Sequence, residues 1–134
     1  MITVQTTINN SIEKVWDSYT NTNHVIHWNF ASDDWHCPQA YNELKVGSPF
    51  NYEMASKDGS MSFNFTGVFT EIDLYKTIQY TMDDGRKAIL NFKETEQGVE
   101  VIEQFEPEKM NTEELQQFGW QSILDNFKNY TETL

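Results

Sequence analysis

The chain has 134 residues, 38% of them hydrophobic and 14% aromatic, and its formal net charge is −12 at pH 7. This length suits a single hydrophobic core, so we expect residues 1–134 to form one domain. The negative charge argues against nucleic acid and anionic membrane surfaces as partners, since both repel an acidic protein. With one cysteine, no secretory leader pattern and no membrane-length apolar stretch, the sequence predicts a cytoplasmic protein.

The first element is predicted to be a strand, because apolar residues alternate from Ile2 to Ile8. A helix follows, with Asn10 placed to cap it and Glu13 three residues later as the reciprocal partner. Its apolar side chains recur at helical spacing, at Ile12, Val15, Trp16 and Tyr19. Asn23 is placed to cap a second, shorter helix, and an irregular segment rich in aromatic and polar residues occupies 29–38.

From residue 39 onward the apolar period becomes two, which predicts about six antiparallel strands separated by short turns. The clearest turns are Asp58-Gly59, Asp84-Gly85 and Gln97-Gly98. The last four or five strands are expected to form a meander, with the first strand at an edge. The apolar residues that share a face within each strand are Phe50, Tyr52 and Met54, then Met61, Phe63, Phe65 and Phe69, then Ile78, Tyr80 and Met82, then Ala88, Leu90 and Phe92, and finally Val99, Val101 and Phe105.

Residues 112–134 predict one long helix, capped by Asn111 with Glu114 as partner, and roughly 33 Å long at ~1.5 Å per residue. Its apolar stripe contains Gly119, Trp120, Ile123, Phe127, Tyr130 and Leu134. Such a helix must bury its stripe on the sheet, which predicts an α+β fold with a pocket between the two. Because Gln116 and Gly119 make the first part of the stripe more polar and looser, we expect the pocket there.

Seven short motifs occur in a characteristic order, at Ile8–Trp16, His27-Trp28, Ala31–Trp35, Gly47–Phe50, Asp58–Met61, Gly67–Ile72 and Gly119–Leu124. Together they resemble the START-like (SRPBCC) superfamily, which includes the polyketide cyclases and the birch pollen allergen. Within it, the chain resembles the branch homologous to the C-terminal domain of the activator of the ninety-kilodalton heat-shock-protein ATPase.

This resemblance implies a helix-grip fold, in which a curved antiparallel sheet wraps a C-terminal helix and leaves a hydrophobic cavity. It does not imply one activity, since lipid carriers, cyclases, hydrolases and co-chaperone domains share the fold. The full-length activator also has a separate N-terminal domain that contacts the chaperone. The present length leaves no room for that domain, so ATPase stimulation is not expected.

No metal, cofactor or catalytic residue is assigned from the sequence. The residues considered for a metal site were His24, His27, Asp33, Asp34, His36 and Cys37, but their spacing matches no standard metal pattern. His36 and Cys37 are neighbours in sequence and, if they lie on a strand, would point to opposite faces. Glu103 has the same strand parity as Val101 and could face the cavity as an acid or base, or instead reach an open rim.

We therefore expect non-catalytic binding of a small hydrophobic or amphipathic ligand in the cavity between the sheet and the C-terminal helix. The predicted ligand-binding residues are Trp28, Phe30 and Trp35 at one mouth, Phe50, Tyr52, Phe63, Phe65, Tyr80 and Phe92 on the wall, and Gln116 and Trp120 on the helix. Gln116 either lines the cavity or meets a strand residue, since a polar amide on an apolar stripe needs a partner.

Two other functions remain open. One is a protein-interaction module that assists a chaperone or another protein, with exposed aromatic residues making the contact. Phe118 is relevant here, because it falls on the polar side of the helix and is covered either by the 29–38 segment or by a partner. The other is a cyclase or hydrolase of a hydrophobic substrate that uses Glu103 or His36.

Overall fold

A computed structural model describes residues 1–134 as one seven-stranded antiparallel sheet and three helices. The elements in chain order are β1 (Ile2–Ile8), α1 (Ile12–Thr20), α2 (Thr22–Val25), β2 (Trp35–Asn42), β3 (Pro49–Ser56), β4 (Ser62–Asp73), β5 (Thr77–Met82), β6 (Lys87–Thr95), β7 (Gly98–Phe105) and α3 (Glu113–Thr131). The spatial order of the strands is β1-β7-β6-β5-β4-β3-β2. The predicted α+β fold, its meander and its edge position for the first strand are confirmed.

Strand periodicity sets which face of the sheet is buried. In β5, β6 and β7 the buried side chains alternate with more exposed ones, as the pattern predicts. Met61 does not follow the prediction that it lies on the buried face of a strand. The strand β4 begins one residue later, and the Met61 side chain is 62% exposed. Phe63 follows at the start of β4 and is 50% exposed, although it has the predicted parity.

Gly67 leaves space in the middle of β4 for the ring of Phe50, which comes from the neighbouring strand β3. A Cβ at this position would lie 2.6 Å from the Thr81 carbonyl oxygen and 2.7 Å from the ring of Phe50. No residue with a side chain fits there without displacing one of these groups. The ring of Phe50 therefore lies across β4 and forms the centre of the buried sheet face.

The three helix caps lie one or two residues from the predicted positions, which were Asn10, Asn23 and Asn111. The observed caps are Ser11, Asn21 and Thr112, each accepting a backbone N–H in the first turn. Asn10 instead donates from Nδ2 to the Thr131 carbonyl oxygen at 2.9 Å, which ties the start of α1 to the end of α3. Leu134 was predicted on the buried stripe but is 41% exposed, because α3 ends at Thr131.

One side of α3 is bonded to the outer backbone of β1. The Gln117 amide donates to the Thr3 carbonyl at 3.1 Å, and the Gln121 amide donates to the Gln5 carbonyl at 3.0 Å. Further along, the Lys128 ammonium donates to the Thr7 carbonyl at 2.6 Å. These contacts fix the helix along the strand, so the opposite side of α3 faces across the sheet.

Phe127 of α3 packs in the core beside α1 and Trp28. Phe127 has no exposed surface, and its ring contacts Trp28 and Tyr19 with centroids 4.8 Å and 5.4 Å away. Residues of β3, β4 and β5 and of the middle of α3 line a cavity. No helix in the chain has both the length and the apolar character needed to cross a bilayer.

Candidate functional site

A cavity of about 250 Å³ lies between the sheet and the middle of α3, at Trp120, Ile123 and Leu124, and neither Gln116 nor Gly119 lines it. Seven of the eleven predicted residues line it: Trp28, Phe50, Tyr52, Phe63, Phe65, Tyr80 and Trp120. Eight further lining residues were not predicted as ligand contacts: Tyr19, Asn29, Met54, Phe69, Arg86, Glu103, Ile123 and Leu124. The lining is therefore mostly aromatic and aliphatic, with a few polar groups.

Phe50 is the centre of the sheet wall. Its ring centroid lies 5.1 Å from that of Tyr80 in an edge-to-face arrangement, and 5.2 Å from those of Tyr52 and Phe69. Aromatic pairs at these distances pack favourably beyond the area that they bury. The wall is thus a fixed aromatic surface, held in place by the glycine beneath the Phe50 ring.

Trp120 closes the cavity from the helix side. Its ring stacks on Phe105 with centroids 3.8 Å apart and an interplanar angle of 10°. It also meets Phe65 edge-on at 6.0 Å, so the indole bridges β7 and β4. Ile123 and Leu124 continue the same wall one turn further along the helix.

Trp28 forms the third wall, beyond the end of α2. It is 4% exposed, and its indole Nε1 donates to the Ser18 carbonyl oxygen at 2.9 Å. Its ring stacks on Tyr19 with centroids 5.3 Å apart. Because its indole is buried, hydrogen-bonded and stacked, Trp28 is a fixed part of the cavity lining. It does not lie at the entrance of the cavity, where it was predicted.

Glu103 is the one carboxyl group in the lining. It is 7% exposed and lies in register with Val4 and Leu90, both of which are buried. Burial raises the pKa of this carboxyl from 4.5 to about 8, and no hydrogen bond or nearby cation lowers that pKa. At neutral pH the side chain is therefore a neutral carboxylic acid facing an apolar cavity.

Three tyrosines line the same space. Burial, followed by the charge of Glu103, raises the pKa of Tyr19 and of Tyr80 well above the ordinary value. Neither hydroxyl has a hydrogen-bond partner within the protein. Burial raises the pKa of Tyr52 to about 12, and its hydroxyl accepts a hydrogen bond from Asn42 at 2.8 Å.

Asn29 brings an unpaired donor to the lining. The residue is 7% exposed, and its Nδ2 atom is buried without a hydrogen-bond partner. Cys37 lies beside this amide, and burial raises the pKa of the thiol while a hydrogen bond from Asn29 lowers it. Sulfur is a weak acceptor, so the amide keeps the capacity to donate to a stronger one.

Arg86 is the cationic residue in the cavity lining, and its guanidinium is already hydrogen-bonded to other residues. Its Nε donates to the Asp84 carboxylate at 2.7 Å, and its Nη1 donates to the Glu106 carbonyl oxygen at 3.3 Å. The guanidinium therefore contributes to the lining while its charge is balanced by a turn residue.

Four predicted residues lie outside the lining. Phe92 is buried beneath α1, where its ring meets Trp16 at 5.2 Å and Tyr19 at 5.9 Å. Phe30 is half-buried, with its carbonyl oxygen accepting from Asn126 at 2.6 Å. Trp35 is also half-buried and meets only the outer residue Phe63 among the aromatic rings, at 5.9 Å.

Gln116, the fourth, neither lines the cavity nor meets a strand. Its Nε2 donates to the carbonyl oxygens of Glu108 and Asn111 at 3.1 Å and 2.9 Å. Its Oε1 accepts from the Glu108 N–H at 2.9 Å. These three bonds hold the chain reversal between β7 and α3, so the side chain faces that segment.

We expect Gln116→Leu to destabilise the protein by about 1–3 kcal/mol, since it leaves backbone groups of the 106–112 segment unpaired. The affinity for an apolar probe should stay unchanged. Urea unfolding and probe titration measure the two effects. Gln117→Leu is the matched control, because Gln117 is exposed and makes one bond to an exposed carbonyl. A loss of probe affinity in Gln116→Leu alone would place this residue at the cavity after all.

Nearly the whole chain, residues 9–132, matches the family model described as activator of Hsp90 ATPase homolog 1-like protein. The chain belongs to this family. An AHSA1-like protein from Aeromonas hydrophila, known from a solution structure, is 41% identical with a TM-score of 0.94, over 98% of this chain and 92% of its own. A protein from Cytophaga hutchinsonii is 47% identical with a TM-score of 0.84, over the same shares of the two chains.

More distant structures share the fold alone. A protein from Nitrosomonas europaea is 14% identical with a TM-score of 0.83, over 98% of this chain and 94% of its own. No curated protein matches the sequence. The predicted resemblance to the AHSA1-like branch and its helix-grip fold is therefore confirmed.

Three lining residues of this AHSA1-like chain that are not among the predicted contacts have a signal in the sequence. Met54 and Phe69 have the strand parity of the predicted wall residues, and Tyr19 lies on the apolar face of α1. Asn29 and Arg86 had no such signal, because one follows a short helix and the other lies in a turn. Their place at the cavity arises from the path of the loops.

The histidines and the cysteine are separated in the AHSA1-like fold. His24 contacts the Tyr130 hydroxyl through Nδ1 at 2.6 Å, and His27 stacks on the same tyrosine with centroids 5.5 Å apart. β2 begins at Trp35, inside the segment predicted to be irregular, and on it His36 is exposed while Cys37 is buried.

Proposed function

We propose that this AHSA1-like chain binds a small hydrophobic or amphipathic molecule in the cavity between the sheet and α3. The observation that carries the proposal is a space of about 250 Å³ enclosed by aromatic and aliphatic side chains from the sheet and the helices. Ligand sites are commonly concave and apolar, with a few polar groups that orient the ligand. Non-catalytic binding fits a lining that contains one carboxyl group and no second carboxyl, histidine or cysteine.

The exposure of the lining residues supports entry of a ligand from solvent. Phe63 is 50% exposed, whereas Phe50 on the neighbouring strand β3 is 3% exposed, so the lining extends from the surface to the core. Trp120 and Ile123 on α3 are half-buried. A ligand would enter between the start of β4 and the first half of the helix.

Ile123→Trp tests the site by filling it. We expect the affinity for the neutral dye N-phenylnaphthylamine to fall at least about tenfold, because the larger ring occupies ligand space. Dye fluorescence measures the affinity. Asn129→Trp is the matched control, since residue 129 is exposed on the same helix and outside the lining. Equal affinities of the two variants for the dye would count against the cavity as the binding site.

A second candidate function, a protein-interaction module, is favoured by an exposed apolar surface at the start of α3. Met110 is 91% exposed, Leu115 57% and Phe118 72%, so the segment predicted to cover Phe118 does not do so. The family description names an activator of the Hsp90 ATPase, which suggests that chaperone as the partner. Titration of purified Hsp90 with the wild-type chain and with the Phe118→Gln variant tests this function. The wild-type chain must bind Hsp90, and the substitution must weaken that binding.

A further inference from the structure

Four polar groups of the cavity, from different parts of the chain, make no hydrogen bond to an oxygen or nitrogen of the protein. Asn29, which follows α2, has its Nδ2 atom buried with no such bond and with the Cys37 thiol beside it. The Glu103 carboxyl on β7 has neither a hydrogen bond nor a cation. The hydroxyls of Tyr19 on α1 and Tyr80 on β5 have no partner in the protein.

We propose that the ligand is a neutral molecule with an apolar body and a hydrogen-bond acceptor such as a ketone or ester carbonyl, which the Asn29 amide, the Glu103 carboxyl and the hydroxyls of Tyr19 and Tyr80 bind. This inference rests on the proposed ligand-binding function. It goes further by assigning a polar recognition site within the cavity and the chemistry that this site accepts.

Each of these four groups can donate a hydrogen bond. The amide N–H of Asn29 can only donate, and each tyrosine hydroxyl offers one O–H. A carboxylic acid adds a further O–H while it keeps its proton, as burial makes Glu103 do at neutral pH. A ligand carbonyl oxygen, with two lone pairs, can accept from two of these groups, whereas a hydrocarbon accepts from none.

The charges around the cavity favour a neutral ligand over an ion. An anionic ligand would find no free cation, because Arg86 is already bonded to Asp84 at 2.7 Å. A cationic ligand would have to enter a lining that already contains this guanidinium, and would need Glu103 to lose its proton in an apolar setting. A carbonyl group requires neither change.

Protonation of Glu103 gives the site a predicted pH dependence. The titratable or charged groups that share the lining with this carboxyl are Tyr19 from α1, Tyr52 from β3, Tyr80 from β5 and Arg86 from the turn before β6. The cavity residues of α3 are Trp120, Ile123 and Leu124, which do not titrate. Because the tyrosine pKa values are raised and arginine stays charged, Glu103 is the group that changes state near neutral pH.

The test uses four naphthalene derivatives with equal numbers of non-hydrogen atoms: acetylnaphthalene, isopropylnaphthalene, naphthylethylamine and naphthoate. Calorimetric titration at about pH 6.5 and about pH 9.5 brackets the change at Glu103. At the lower pH we expect the ketone to bind at least about tenfold more tightly than the hydrocarbon, the value of one well-made hydrogen bond. At the higher pH this ratio should fall, because the ionised carboxylate no longer donates.

Two variants assign the effect to the named groups. Glu103→Gln keeps an N–H donor but cannot ionise, so the ketone-to-hydrocarbon ratio should persist at both pH values. Asn29→Ala removes a donor from a different element and should lower the same ratio at both pH values. Urea unfolding of each variant confirms that the comparison is made on folded protein.

Each result bears on one of the two proposals. If the amine or the naphthoate binds more tightly than the ketone, or if ketone and hydrocarbon bind equally, the inference about ligand chemistry is wrong while cavity binding stands. If none of the four compounds binds, the proposed ligand-binding function is wrong and the inference goes with it. A ratio that changes with pH in Glu103→Gln as it does in the wild-type chain would remove Glu103 from the site.

Discussion

Glu103→Gln is expected to stabilise the protein by about 3 kcal/mol at pH 7, one of the two largest changes that we predict for a single substitution. The reason is that the folded state raises the pKa of this carboxyl from 4.5 to about 8. Between these values the folded chain keeps a proton that the unfolded chain releases. Wild-type stability should therefore decrease as pH rises from about 4.5 to about 8, and the Glu103→Gln substitution should remove that decrease.

Urea unfolding across this pH range measures the effect, with the two chains converging at the acid end. Glu94→Gln provides the matched control, because Glu94 is exposed on the neighbouring strand and should change stability little. Parallel pH profiles for wild-type and Glu103→Gln chains would show that Glu103 is solvated in the folded state. The same outcome would remove the carboxylic acid from the proposed recognition site.

Trp16→Ala should destabilise the protein by about 3–5 kcal/mol, as expected when a large buried ring is deleted. Trp16 is 5% exposed, and its ring meets Phe92 and Tyr75 edge-on with centroids 5.2 Å and 5.9 Å away. Because this ring packs directly over Phe92 of β6, its truncation leaves a void beneath α1.

Trp35→Ala is the matched control for this deletion, since Trp35 is half-buried at the start of edge strand β2. We expect it to cost about 1 kcal/mol or less in urea unfolding. Comparable losses in the two variants would mean that Trp16 contributes no more to the core than a half-buried side chain on an edge strand.

Most of the fold could be predicted because two periods dominate the sequence. Alternation in β5, β6 and β7 sets the buried face, and helical spacing in α1 and α3 sets the faces that meet it. Cap positions were less predictable because adjacent residues compete for them. Asn10 and Ser11 can both cap a helix, and only the contact of Asn10 with the end of α3 decides between them.

The cavity was less predictable because strand parity gives the face of a residue but not what covers it. Phe92 has the parity of a wall residue, yet α1 packs over it and removes it from the cavity. Gln116 lies on the buried stripe of α3, but the loop before the helix provides its partners. Parity did place Glu103 toward the cavity, whereas its isolation from other charges depends on the assembled structure.

The bonds between α3 and β1 have a consequence for how copies of this chain meet. Exposed sheet edges invite strands from other molecules to pair with them, which leads to aggregation. On β1, the outward carbonyls of Thr3, Gln5 and Thr7 already accept side-chain donors from α3. The other edge, β2, contains Pro38, which lacks an N–H, and a register shift between His36 and Gln39. Both ends of the sheet are thus closed to continuous intermolecular pairing, and local loosening of α3 would be the event that opens one of them.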